Sequence, residues 1–97
     1  MNEKIKVHIS YDIQSGKEKE SQEYLAKKLA PGLAKLGFQF SDICFTIWGD
    51  SPQIVGGGEL DSSEEAHMIF HSSKWDDLLE GMDPFTENFQ LRLYREN

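Results

Sequence analysis

Three groups of residues have types and spacing that can do chemistry. Glu64, His67 and His71 recur at i, i+3 and i+7, which places them on one face of a helix. Two imidazoles one turn apart can hold zinc or a related transition ion. The stripe is not His-Glu-x-x-His, however, and no second ligand cluster accompanies it. It predicts a solvated helix face more readily than a closed metal site, and no metal or cofactor is expected. His8 is a candidate general base near neutral pH or a hydrogen-bonded interface residue. Gly56, Gly57 and Gly58 stand in a row inside an extended stretch. A phosphate-cradling loop needs its glycines directly before a helix. Here Glu59-Leu60-Asp61 intervene and no P-loop lysine follows. The glycines therefore predict a bend or a close backbone approach, with space for a ligand as the alternative.

The elements that position these residues follow from periodicity. Ile5, Val7, Ile9, Tyr11 and Ile13 alternate with polar residues and predict a half-buried strand. Gln14 to Lys17 reads as a turn, and Ser15 with Glu18 has capping-box spacing for a helix start. Leu25, Leu29, Leu33 and Leu36 continue at helical spacing. Pro31-Gly32 predicts a kink or a split, and Gly37 a left-handed stop. A second strand is expected from Asp42 to Trp48, with Ile43, Phe45 and Ile47 on one side. Gly49-Asp50-Ser51-Pro52 is turn chemistry. A third strand from Gln53 to Leu60 completes an antiparallel hairpin. Ser62 and Glu65 repeat the capping-box spacing. Ser72-Ser73 should break or re-cap that helix before Trp75, Leu78, Leu79 and Met82. Asp83-Pro84 stops it. Asn88 to Arg95 is the last strand, with Phe89, Leu91 and Leu93 on one side and Gln90, Arg92 and Tyr94 on the other.

The order is β-α-β-β-α-β, which predicts an α+β, ferredoxin-like domain over residues 1–97. Its four-stranded antiparallel sheet would carry both helices on one face. The opposite face would then hold His8, Ser10, Cys44, Thr46, Trp48, Arg92 and Tyr94. Such a mixed face reads as a dimer interface with aromatic and arginine anchors, or as the wall of a ligand cavity, and the two can coexist. Cys44 is expected to be a small buried residue.

Composition narrows the partners. The formal charge of -7 opposes binding to phosphate backbones, so no nucleic acid is expected. No apolar run approaches the span of a bilayer, and MNEKIKVHIS has no signal-peptide core. The single cysteine fits a reducing cytoplasm.

The chain resembles the dimeric α+β barrel superfamily, which includes antibiotic-biosynthesis-type monooxygenases, haem-degrading enzymes, and EthD-like and NIPSNAP-like proteins. The resemblance rests on the element order, the hairpin "FTIWGDSPQIVGG", the segment "SSKWDDL" and the closing strand "NFQLRLY". It implies a homodimer whose two sheets pair into a barrel, with a pocket for a small apolar or aromatic molecule. The mixed face offers His8, Trp48, Arg92 and Tyr94 as ligand-binding residues, and the resemblance adds Trp75, a core residue on the plainer reading. Any chemistry would be cofactor-independent and oxygenase-like. The alternative is a non-enzymatic assembly module, followed by a metal or haem binder through His67 and His71. Haem degradation fits poorly, because the position of the haem-ligating histidine is occupied by Leu79 and the first strand lacks the family's asparagine.

Overall fold

The computed structural model describes residues 4–46, 48–49 and 52–95. β1 is Ile5–Ile13, β2 Asp42–Phe45, β3 Ile54–Leu60 and β4 Thr86–Arg95. They form a four-stranded sheet in the order β2-β3-β1-β4, with every neighbouring pair antiparallel. The helical segments pack on one face, which gives the ferredoxin-like arrangement.

The first helical stretch is split, as Pro31 predicts. α1 covers Glu18–Tyr24, a π-helical turn covers Leu25–Leu29, and α2 runs Ala30–Leu36. Proline has no N–H to donate and its ring crowds the carbonyl one turn back, so a wider turn ahead of it relieves both problems. Gly37 ends α2 at φ 113°, and Phe38 N donates to Leu33 O at 2.9 Å. The expected cap at Ser15 is not made. Lys17 occupies the N-cap position without a side-chain bond, because Gly16 at φ 80° turns the chain first.

The other two caps form. Ser62 Oγ accepts from Glu65 N at 3.2 Å and starts α3, Ser63–Phe70. Ser72 Oγ accepts from Trp75 N at 3.2 Å and starts α4, Ser73–Met82. A short 3-10 turn at Asp83–Phe85 leads into β4.

The core lies between the helices and the inner face of the sheet. Ile5, Val7, Ile9 and Tyr11 from β1 meet Leu25, Leu29, Leu33, Ile69, Trp75 and Met82. Two expected core positions are corrected. Phe45 is 50% exposed because β2 ends there, short of the predicted Trp48, and Leu93 is 43% exposed because β4 is an edge strand. Ile47, Asp50 and Ser51 lie outside the described residues.

Two of the three consecutive glycines are required by the inner face. A Cβ on Gly56 would sit 2.6 Å from Phe40 Cε1, and one on Gly58 2.7 Å from Gln39 O and from Phe38 Cε1. The chain leaving α2 thus lies flat on β3, and Ser41 N donates to Gly57 O at 2.9 Å. Close approach by the protein's own backbone accounts for these two. Gly57 faces the other way, beside the His8 ring.

Candidate functional site

Directly opposed residues in an antiparallel pair project to the same face. The registers therefore lay out the bare outer face in rows. Tyr94, Lys6 and Glu59 form one row; Arg92, His8, Gly57 and Asp42 the next; Gln90, Ser10, Val55 and Cys44 a third. His8 and Tyr94 meet diagonally. Tyr94 Oη lies 3.1 Å from His8 Nε2, and the rings stand at 90° with centroids 5.2 Å apart. The missing side chain of Gly57 leaves room for the imidazole. Cys44 is exposed on this face, contrary to the buried position expected, because β2 is the other edge and no described element covers its outer side.

A bulge sets the far end of the face. Between Ser10 and Asp12 the pairing slips, and Asn88 takes φ 54°. Asparagine tolerates this conformation better than most residues. Its Nδ2 donates to Asp12 Oδ2 at 3.0 Å, while Gln53 N donates to Asp12 Oδ1 at 3.0 Å. One buried carboxylate thus ties β1 to β4 and to the start of β3.

The inner side carries a cleft of about 300 Å³ where α3 meets the ends of β1 and β4. Ile5, Ala66, Phe70 and Leu93 supply its apolar wall, and Ser63, His67, His71 and Arg95 its polar rim, with Tyr94 bordering it while its hydroxyl meets His8 on the other face. The size is at the lower end for sites that take small molecules. The cap at Ser62 sets the start of α3, which turns Ala66 and Phe70 inward and leaves His67 and His71 exposed beside them. These imidazoles stack with centroids 4.1 Å apart and 32° between planes. Among the described residues no third metal-ligating side chain joins them.

The sequence-derived site residues separate into three places. His8, Arg92 and Tyr94 share the bare face. Trp48 is 94% exposed in the β2–β3 connection. Trp75 is 3% exposed on the opposite side of the sheet, edge-on to Phe70 at 5.0 Å and 6.0 Å from Phe89. It backs the cleft wall through Phe70 without lining the cleft. Leu79 is half-buried at the end of the same helix. Sequence reasoning missed Ile5, Ala66, Phe70 and Leu93 as cleft walls, since each satisfies an ordinary core pattern.

No family model and no curated protein matches this chain. Solved structures do match it. An EthD family protein from Bacillus halodurans superposes with a TM-score of 0.74 at 14% identity, covering 97% of this chain and 99% of that one. A NIPSNAP family protein from Agrobacterium tumefaciens gives 0.71 at 17% identity, covering 100% and 89%. This chain has their fold. A dimeric protein of unknown function and ferredoxin-like fold from Bacteroides fragilis shares it too, at 0.65 and 11% identity over 96% of each chain. The fold is thus the one the resemblance implied, and it is held in common by proteins of unassigned function. No helix among the described residues is long and apolar enough to cross a membrane.

Proposed function

We propose that this protein is a homodimer that binds a small apolar or aromatic molecule in the cleft between α3 and the ends of β1 and β4. The observation that carries this reading is the cleft's composition. An aliphatic and aromatic wall meets a rim of two histidines, a serine and an arginine, which suits an apolar body with one anionic or oxygenated group.

Dimerisation is supported by the outer face. Arg92 and Lys6 stand on its β4–β1 side, and Asp42 and Glu59 on its β2–β3 side. A two-fold interface must be complementary to itself, and a face divided by charge in this way can meet a rotated copy with opposite signs in register. Trp48 and Tyr94 supply exposed aromatic surface of the kind that anchors interfaces. Tyr94 belongs to both regions, since it lines the cleft and touches His8. The dimeric state of a neighbour with the same fold supports dimerisation as such. The exposed thiol of Cys44 suits a reducing, cytoplasmic setting. Oxygenase-type turnover without a cofactor is the finer reading, checked by dioxygen uptake in the presence of the retained ligand.

Native mass spectrometry of the untagged protein tests the proposal. The expected species is a dimer with an added small mass. Ala66→Phe should fill the cleft and remove the added mass while leaving the dimer. Arg92→Glu should yield monomer. A bare monomer from the unaltered chain, or an added mass that survives Ala66→Phe, overturns it.

A further inference from the structure

On the far side of the helical layer, the π turn, α2 and α4 enclose a second cleft of about 480 Å³. Lys27, Lys28, Lys35 and Lys74 stand around it with Asp77 as the acidic residue of its lining, so four of the chain's ten lysines and arginines gather in one place. The charge is notable in a protein whose formal net charge is -7. Among the described residues none of the four is held in an ion pair. Random placement on an acidic surface would intersperse these cations with the carboxylates that outnumber them.

The cleft is not simply a charged surface. Its remaining lining is Pro31, Gly32, Leu36 and Leu78, a largely apolar floor between cationic walls. Gly32 brings the two helices close there, since a Cβ at that position would lie 3.0 Å from Leu78 Cδ1. The widened helical turn at Leu25–Leu29 carries Lys27 and Lys28. π turns recur at functional sites because they re-aim side chains off the regular helical stripe.

We infer that this cleft binds a small organic anion with an apolar body, its phosphate or carboxylate group held by Lys27, Lys28, Lys35 and Lys74 and its chain or ring laid on Leu36 and Leu78. Charge complementarity selects the head group, because ammonium donors gathered around one acceptor make charge-assisted hydrogen bonds. The floor selects against a purely hydrated anion, which would leave that apolar surface wet. This inference is independent of the α3 cleft, which shares no lining residue with it.

The test is an amide NMR titration of the full chain with three probes: monomeric dodecyl phosphate, inorganic phosphate, and phosphatidylglycerol vesicles. Dodecyl phosphate should shift the amides of residues 27–36 and 74–78 saturably. Affinity should fall about tenfold for each lysine neutralised, as in Lys27→Gln and Lys35→Gln. Dodecyl maltoside, which is neutral, should leave those amides unmoved. Inorganic phosphate should bind far more weakly than the amphiphile. The inference is overturned if dodecyl phosphate shifts only the amides around Ala66 and Phe70, if the lysine variants bind it unchanged, or if the two phosphates bind alike. It is also overturned if vesicles perturb the cleft while the monomeric amphiphile does not, since the surface would then be a membrane contact.

Discussion

The two faces of the sheet are built from the same four strands and solve opposite problems. On the inner face, β1 presents Ile5, Val7, Ile9 and Tyr11, all buried, and the helices bring Leu25, Leu29, Leu33 and Trp75 onto them. Even the absent side chains are accounted for, because Phe38, Gln39 and Phe40 occupy the space above Gly56 and Gly58. On the outer face the same strands present Lys6, His8, Ser10, Arg92 and Tyr94. No described element of the single chain packs over them. Alternation is shared by both faces, so the difference is one of saturation. The inner face is packed by its own chain along β1 and opens only at its margins, at Phe45 and at the Leu93 cleft, while the outer face keeps aromatic rings and divided charge at the surface around the His8–Tyr94 pair.

The two tryptophans give the sharpest test of that contrast. Trp75→Ala should cost about 3–5 kcal/mol of folding stability, the usual result of emptying a large buried aromatic site. Trp48→Ala should change the stability of the isolated chain by less than about 0.5 kcal/mol, since surface positions outside the packed core contribute little. Urea unfolding in the monomeric Arg92→Glu background, monitored by circular dichroism, measures both. Equal losses would break the comparison, because they would place Trp48 in contact with the fold.

The consecutive glycines give a finer test within one strand. Gly58→Ala should destabilise by about 1–3 kcal/mol, because its Cβ would press on the fixed backbone oxygen of Gln39. Gly56→Ala should cost less, since the ring of Phe40 is only half-buried and can shift. Gly57→Ala should fall within about 0.5 kcal/mol of the parent, because its neighbour is the exposed His8 ring, 3.3 Å away. Chemical denaturation of the three variants ranks them. A loss at Gly57 matching that at Gly58 would mean that the outer face is packed as tightly as the inner.

The smallest effect is a pH dependence of the inner face. Burial holds the Tyr11 phenol above the ordinary tyrosine range, opposed in part by its hydrogen bond with Ser21. A raised acid keeps its proton in the folded state after the unfolded chain has lost it. Stability is therefore unaffected below the unfolded value near 10.0 and falls as pH rises beyond it. Urea midpoints measured through the alkaline range should decline, and Tyr11→Phe should flatten part of that decline. An equal slope in the variant would remove Tyr11 from the account.

How much was legible depended on the distance over which each signal acts. The alternation of β1, the stop at Gly37 and the caps at Ser62 and Ser72 were all readable, because each depends on residues within a turn or two. Ser15 shows the limit of that reading. Its spacing to Glu18 is right for a cap, yet the positive φ of Gly16 commits those residues to a turn. The candidate sites were less legible. His67 and His71 were visible as a pair, but their place on the rim of an apolar cleft depends on Ile5 and Leu93, far away in the chain. Lys27, Lys28, Lys35 and Lys74 form no motif in the sequence, and only the packing of the π turn and α2 against α4 gathers them.

By itself, then, the amino-acid sequence determined the order of elements, the polarity of each strand's two sides and most of the helix boundaries, since periodicity and capping are local. Tertiary structure alone decided that Tyr94 meets His8 across 86 residues. It decided too that the bulge at Asn88 closes on Asp12 and that Phe38 and Phe40 lie on the glycines. Those contacts follow from strand register and helix placement. Many sequence-distant contacts must agree at once to set these, and no single stretch of residues encodes them.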